Sequence, residues 1–117
     1  MKSRLHYLRI TALALLGFGV FLFPQSSSAT DNTVAAVAIK IDNFSFSPQT
    51  ITIPAGTQVT WTNQDDIPHT VVSDDKATFK SRGLDTDEKF TFTFTKPGTY
   101  GYFCSIHPKM TAKIIVQ

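Results

Sequence analysis

The amino-acid sequence predicts an all-β domain, a sandwich of seven to eight short strands. Three observations lead there. Apolar and polar residues alternate along most of the chain, turn-forming residues interrupt that alternation at short intervals, and no segment keeps a 3.6-residue period for three turns. The composition agrees with one ordinary globular domain: 117 residues, 42% hydrophobic and 17% charged. It excludes collagen-like, low-complexity and wholly disordered chains.

The elements follow in order. Residues 1–29 read as a secretory signal peptide. Lys2, Arg4 and Arg9 give a cationic start, residues 10–23 form an uncharged apolar run, and Pro24 ends any helix. Ser27 and Ala29 then occupy the −3 and −1 positions of a cleavage site, with Ala36 and Ala38 as later alternatives. Fourteen helical residues reach roughly 21 Å, short of a hydrocarbon core of about 30 Å. Cleavage is therefore expected, and a membrane-anchored form follows only if the leader is kept. The mature chain would be residues 30–117, exported to the periplasm.

The formal charge of +2 belongs to that leader. Without its three cations, eight Lys/Arg face nine Asp/Glu. A near-neutral domain lacks the electrostatic footprint for phosphate backbones, so nucleic acid is excluded as a partner.

Residues 30–38 form a short tail and the start of the first strand, and residues 39–117 form the domain. Alternation places Ile39 with Ile41, Phe44 with Phe46, Ile51 with Ile53, and Val59 with Trp61. Its clearest case is Phe90-Thr91-Phe92-Thr93-Phe94-Thr95, with phenylalanines on one face and threonines on the other. Turns are expected at Ser47-Pro48, Pro54-Ala55-Gly56, Arg82-Gly83 and Lys96-Pro97-Gly98. Small exported domains often rely on disulfides, but this chain has one cysteine, Cys104. A lone thiol in an oxidising compartment needs an occupation.

That thiol opens the segment Cys104-Ser105-Ile106-His107-Pro108-Lys109-Met110, between two predicted strands. A thiolate, an imidazole and a thioether at i, i+3 and i+6 can be aimed at one point by a single loop. Upstream, His69 follows Ile67-Pro68 and begins the run Thr70-Val71-Val72. Two imidazoles, a thiolate and a weak axial thioether make the ligand set of a blue-copper site, holding one copper ion. Zinc usually takes four firm ligands, and iron–sulfur clusters need more than one cysteine in a single chain such as this. Taken singly, each residue has an ordinary reading as core filler or loop residue. Taken together they do not, because outside the leader the chain has no other Cys, His or Met.

At this point the sequence resembles the cupredoxins, and most of all the amicyanin and plastocyanin group. The resemblance runs from Ile39 to Val116. It is carried by Ile53-Pro54-Ala55-Gly56-Thr57 through Trp61-Thr62-Asn63, by Pro68-His69-Thr70-Val71, and by Gly98-Thr99-Tyr100-Gly101-Tyr102-Phe103-Cys104 to Met110. The short spacing from Cys104 to His107 to Met110 is similar to the amicyanin loop. The resemblance implies a Greek-key sandwich, with Thr70, Ser105 and Asn63 supporting the ligands. Thr70 departs from the family, which commonly has Asn there to tie the two ligand loops. Ala112 stands where Gly is often found.

The resemblance also implies that His107 shows its ring edge in an apolar patch of Ile67, Pro68, Ile106 and Pro108, where a cytochrome or a dehydrogenase docks transiently. Prolines beside both histidines would stiffen their loops. The acidic groups Asp65-Asp66, Asp74-Asp75 and Asp85-Thr86-Asp87-Glu88 read more simply as solvated loop charge than as a docking face. The function expected is a monomeric single-electron carrier, not an enzyme, since no histidines remain for a second metal centre. The alternative is a copper storage or delivery protein.

Overall fold

The computed structural model describes residue 14, residues 16–28 and residues 33–117. The expected cationic segment, residues 1–9, and the cleavage position at Ala29 lie outside the described residues. Among those described, no helix is long and apolar enough to cross a membrane. The chain divides into two units, Met1–Thr30 and Asp31–Gln117, and the strands described here lie in the second.

The strands are β1 (Ala36–Asp42), β2 (Ser45–Ser47), β3 (Thr50–Ile53), β4 (Thr57–Asn63), β5 (Val72–Ser73), β6 (Lys89–Phe94), β7 (Gly98–Phe103) and β8 (Thr111–Val116). They form two four-stranded sheets, ordered β2-β1-β4-β6 and β3-β8-β7-β5. Each sheet has one parallel pair, β1 with β4 and β3 with β8, among antiparallel neighbours. The predicted sandwich of seven to eight strands is what the chain forms, with eight strands among the described residues.

The alternation explains the layers. Along β4, Thr57, Val59, Trp61 and Asn63 are buried while Gln58 faces solvent. Across the sheet they pair with β6 in the register Val59↔Phe92 and Trp61↔Phe90. Trp61 is fully buried, stacked on Phe79 at 5.8 Å and edge-on to Tyr102 at 5.6 Å between ring centroids. Such aromatic pairs add about 0.5–1.5 kcal/mol each beyond the area they bury.

Two stretches differ from the alternating pattern. The run from His69 to Ser73 is buried throughout, yet only Val72 and Ser73 form a strand. His69 makes only an isolated bridge, to Leu84, and Val72 adds one to Lys80 beside its strand pairing, because the chain turns back at Asp75 and brings Phe79 into the core. Asp75 holds that turn by accepting the backbone N–H groups of Ala77 and Thr78.

The other difference is Phe44. Phe46 is buried as its period requires, but Phe44 is 51% exposed. Asp42 pairs with Ser45, so Asn43 and Phe44 form a two-residue hairpin turn, at φ 48° and 56°. Primed turns of this kind demand left-handed conformations at both central residues. Asparagine suits that region; phenylalanine does not, at a cost of about 1–2 kcal/mol.

The register gathers three loops at one end of the sandwich. Ile41 lies beside Asn63 in the parallel pair, so the Asn43-Phe44 turn and the segment after β4 leave together. Val72 lies beside Phe103, which brings the start of β5 to the end of β7.

Candidate metal centre

The segment after β4 is stapled by Asn63. Its side-chain N–H groups donate to the carbonyls of Ile67 and Leu84, both at 2.8 Å, and its Oδ1 accepts the Asp65 N–H at 3.0 Å. A fully buried amide satisfied on both sides fixes the loop that carries His69. The second loop closes on itself. Met110 N–H donates to the His107 carbonyl at 2.9 Å, and Cys104 N–H donates to the Met110 carbonyl at 3.1 Å.

Between these loops, one donor atom from each of His69, Cys104 and His107 lies within 4.8 Å of the others. The Cys104 Sγ is 3.7 Å from His69 Nδ1 and 3.9 Å from His107 Nδ1. Both imidazoles thus turn the same nitrogen toward the sulfur. For His69 the tautomer has a cause, since Nε2 lies 2.7 Å from Asp65 Oδ2 and donates its proton there. Nδ1 is left with a free lone pair facing the sulfur. Burial opposes the charge on Asp65, yet hydrogen bonds from the Phe44 backbone, His69 and the Asn43 backbone hold its carboxyl below the usual value.

Cys104 is completely buried. Burial works against ionisation, but the Thr70 and His107 backbone N–H groups and the two imidazoles outweigh it and bring the thiol down to about 6. The Thr70 N–H donates to Sγ at 3.3 Å. Its hydroxyl accepts the Ser105 N–H at 2.7 Å and pairs with the Ser105 hydroxyl at 2.7 Å. A threonine therefore makes the link between the ligand loops.

These residues fit copper. Two neutral imidazole nitrogens and a readily ionised thiolate are its preferred borderline and soft donors. Among the described residues, no further His, Cys or carboxylate joins the cluster, so the fourth firm ligand of a structural zinc site is missing. Met110 is buried at the end of the same loop and shares a groove with His107.

Ile106, His107, Pro108 and Lys109 line that groove with Phe44 and Met110. Ile106 is 49% exposed. Ile67 and Pro68 stand on the neighbouring loop and do not line it. Phe44 was not expected here from the sequence. Its ring meets His107 edge-on at 5.2 Å and His69 at 5.5 Å, and the two imidazoles meet each other at 5.0 Å. The signal lay in the pair Asp42-Asn43, a turn former placed to break the alternation before Phe44. Asp65 was read only as loop charge, and nothing local in the sequence marks it as a partner of His69.

The chain is similar to known proteins over most of its length. It is 33% identical to an amicyanin of Paracoccus versutus over 96 residues, covering 77% of this chain and 71% of that protein. A novel purple cupredoxin from Nitrosopumilus maritimus superposes with a TM-score of 0.64 at 34% identity, covering 69% of this chain and 99% of that one. A copper-containing nitrite reductase from Thermus scotoductus gives a TM-score of 0.66 at 35% identity over 70% of this chain, which spans only 22% of the reductase. The family model described as a cupredoxin-like domain matches residues 12–116, and with the geometry above the chain belongs to that family.

Proposed function

We propose that this protein is an exported blue-copper electron carrier, with one copper held by His69, Cys104 and His107 and weakly by Met110. The observation that carries the reading is the convergence of both Nδ1 atoms on the Cys104 sulfur within one rigid loop pair. Copper bound there exchanges single electrons between Cu(II) and Cu(I).

The chain's own residues make that exchange easy. Asn63, Thr70 and Ser105 hold the ligands from both sheets, so the donors need little rearrangement between oxidation states. The Thr70 N–H stabilises charge on the Cys104 sulfur. Met110, buried and apolar, offers a weak thioether that favours the reduced state. His107 is partly exposed among Ile106, Pro108 and Phe44, which suits brief docking to a redox partner. Three histidines in the whole chain, one of them His6 in the leader, leave none for a second metal centre. The carrier reading is therefore preferred to a reductase-like one. Export rests on the leader of residues 1–29, and the partner would be a cytochrome or a dehydrogenase.

The test is the visible spectrum of residues 30–117 after addition of Cu(II), with ascorbate as reductant. A strong band at about 600 nm that bleaches on reduction and returns on oxidation is expected for a thiolate-to-copper site. Bound copper without that band would overturn the reading and favour metal storage or delivery.

A further inference from the structure

One carboxylate ties the β1–β2 turn to the loop that carries His69, just beyond the backbone pairing of β1 with β4. Asp65 Oδ1 accepts the Asn43 N–H at 2.7 Å, and Oδ2 accepts the Phe44 N–H at 3.0 Å and the His69 Nε2–H at 2.7 Å. Asn43 and Phe44 are the two left-handed residues of the β1–β2 turn. Phe44 in turn lays its ring edge-on across His69 and His107. Asp65 is itself held, because its N–H donates to Asn63 and its carbonyl accepts the Thr86 hydroxyl at 2.6 Å.

A phenylalanine has no intrinsic reason to occupy this conformation; an exposed turn would relax or take glycine. The strain persists only if the surroundings over-determine it. The two backbone N–H groups of the turn, bonded to an ionised carboxylate, supply that constraint, because charge-assisted hydrogen bonds are the strong ones. What the constraint achieves is a ring placed over the gap between two imidazoles, which limits water at their edges.

We propose that Asp65 is a positioning residue that acts in two directions. It orients His69 through Nε2, and it locks the Asn43-Phe44 turn so that Phe44 covers the imidazole edges where the electron leaves. The inference rests on the copper reading for its second half only. The locking of the turn is a property of the metal-free fold.

The experiment has two arms on the mature chain: wild type, Asp65→Ala, Asp65→Asn, Phe44→Ala and the double variant Asp65→Ala/Phe44→Ala. In the metal-free protein, amide hydrogen exchange at Asn43 and Phe44 should quicken about tenfold or more in Asp65→Ala. Asp65→Asn, which keeps one acceptor oxygen and the volume, should fall between it and wild type, and serves if Asp65→Ala does not fold. In the copper-loaded protein, the electron self-exchange rate should drop roughly tenfold in Phe44→Ala and comparably in Asp65→Ala. The double variant should be no slower than the slower single one, since both would act through one ring.

Unchanged exchange at the two amides in both Asp65 variants would overturn the lock, whatever the metal does. Quickened amides with self-exchange drops that multiply in the double variant would overturn the action through Phe44. Quickened amides in a protein that binds no coloured copper would keep the lock and reject the copper reading instead.

Discussion

The aromatic interior and the metal end are built on opposite terms. Around Trp61 the contacts are ring on ring, and the two buried side-chain atoms without a hydrogen-bond partner among the described residues, Trp61 Nε1 and the Tyr102 hydroxyl, both lie there. At the metal end, Asn63, Asp65, Thr70 and Ser105 use their polar atoms in bonds that cross from loop to loop. The interior tolerates an unpaired polar atom because its stability comes from area, which has no direction. The ligands need direction, so their loops are tied by bonds that have it.

The largest expected effects test that division. Cys104→Ala should abolish the coloured copper site while costing the metal-free fold only about 1 kcal/mol, the loss of one small buried group. Trp61→Ala should cost about 3–5 kcal/mol through the cavity it leaves. Urea unfolding of the metal-free variants checks both. Equal costs would mean that the metal end carries fold stability as well, and the contrast would fail.

Tyr102 sharpens the same contrast through pH. Burial pushes its hydroxyl up to about 12. An unfolded tyrosine ionises near 10. Below pH 10 both states keep the proton and the buried ring contributes fully. From pH 10 to 12 the unfolded chain ionises alone, and stability falls by about 3 kcal/mol across the window. Tyr102→Phe should flatten that part of the stability curve and change little at neutral pH, because the hydroxyl has no partner to lose. A fall of the same size in Tyr102→Phe would place its origin elsewhere.

At the groove, Ile106→Lys should leave the copper colour intact and slow electron exchange with a redox partner roughly tenfold, about 1.4 kcal/mol in barrier. Stopped-flow mixing with a small cytochrome measures it. An altered spectrum would mean that Ile106 shapes the ligands rather than the surface.

How much of this was legible in the sequence follows from the same division. The core was, because burial in a strand leaves a period of two, and Val59, Trp61, Phe92 and Phe94 show it. The convergence on Cys104 was too, since Cys104, His107 and Met110 share one loop and His69 had no competitor outside the leader. Alternation grouped Phe44 with Phe46, but it takes no account of a two-residue turn, and Phe44 sits in that turn with its ring outside the core. Asp65 was passed over because its partners, Asn43 and Phe44, stand 22 and 21 residues away. Only the parallel register of β1 beside β4 brings them together.

The smallest effect expected is at Thr70, where the family commonly has asparagine. Its hydroxyl serves Ser105 twice, through the backbone N–H and the side chain, whereas the bond to the Cys104 sulfur at 3.3 Å comes from the Thr70 backbone. Thr70→Val keeps the volume and the backbone donor and removes the tie, together with the hydroxyl's longer contact to the Cys104 sulfur at 3.7 Å. It should cost about 1 kcal/mol, because the two bonds to Ser105 are exchanged for water at the exposed Ser105, and leave the charge-transfer band nearly in place. Thr70→Asn should recover stability, because its amide can reach the same Ser105 groups. A band that moves in Thr70→Val but returns in Thr70→Asn would show that the side chain, and not the backbone, sets the sulfur's environment. The directional bonds of the metal end would then govern its colour as well as its shape.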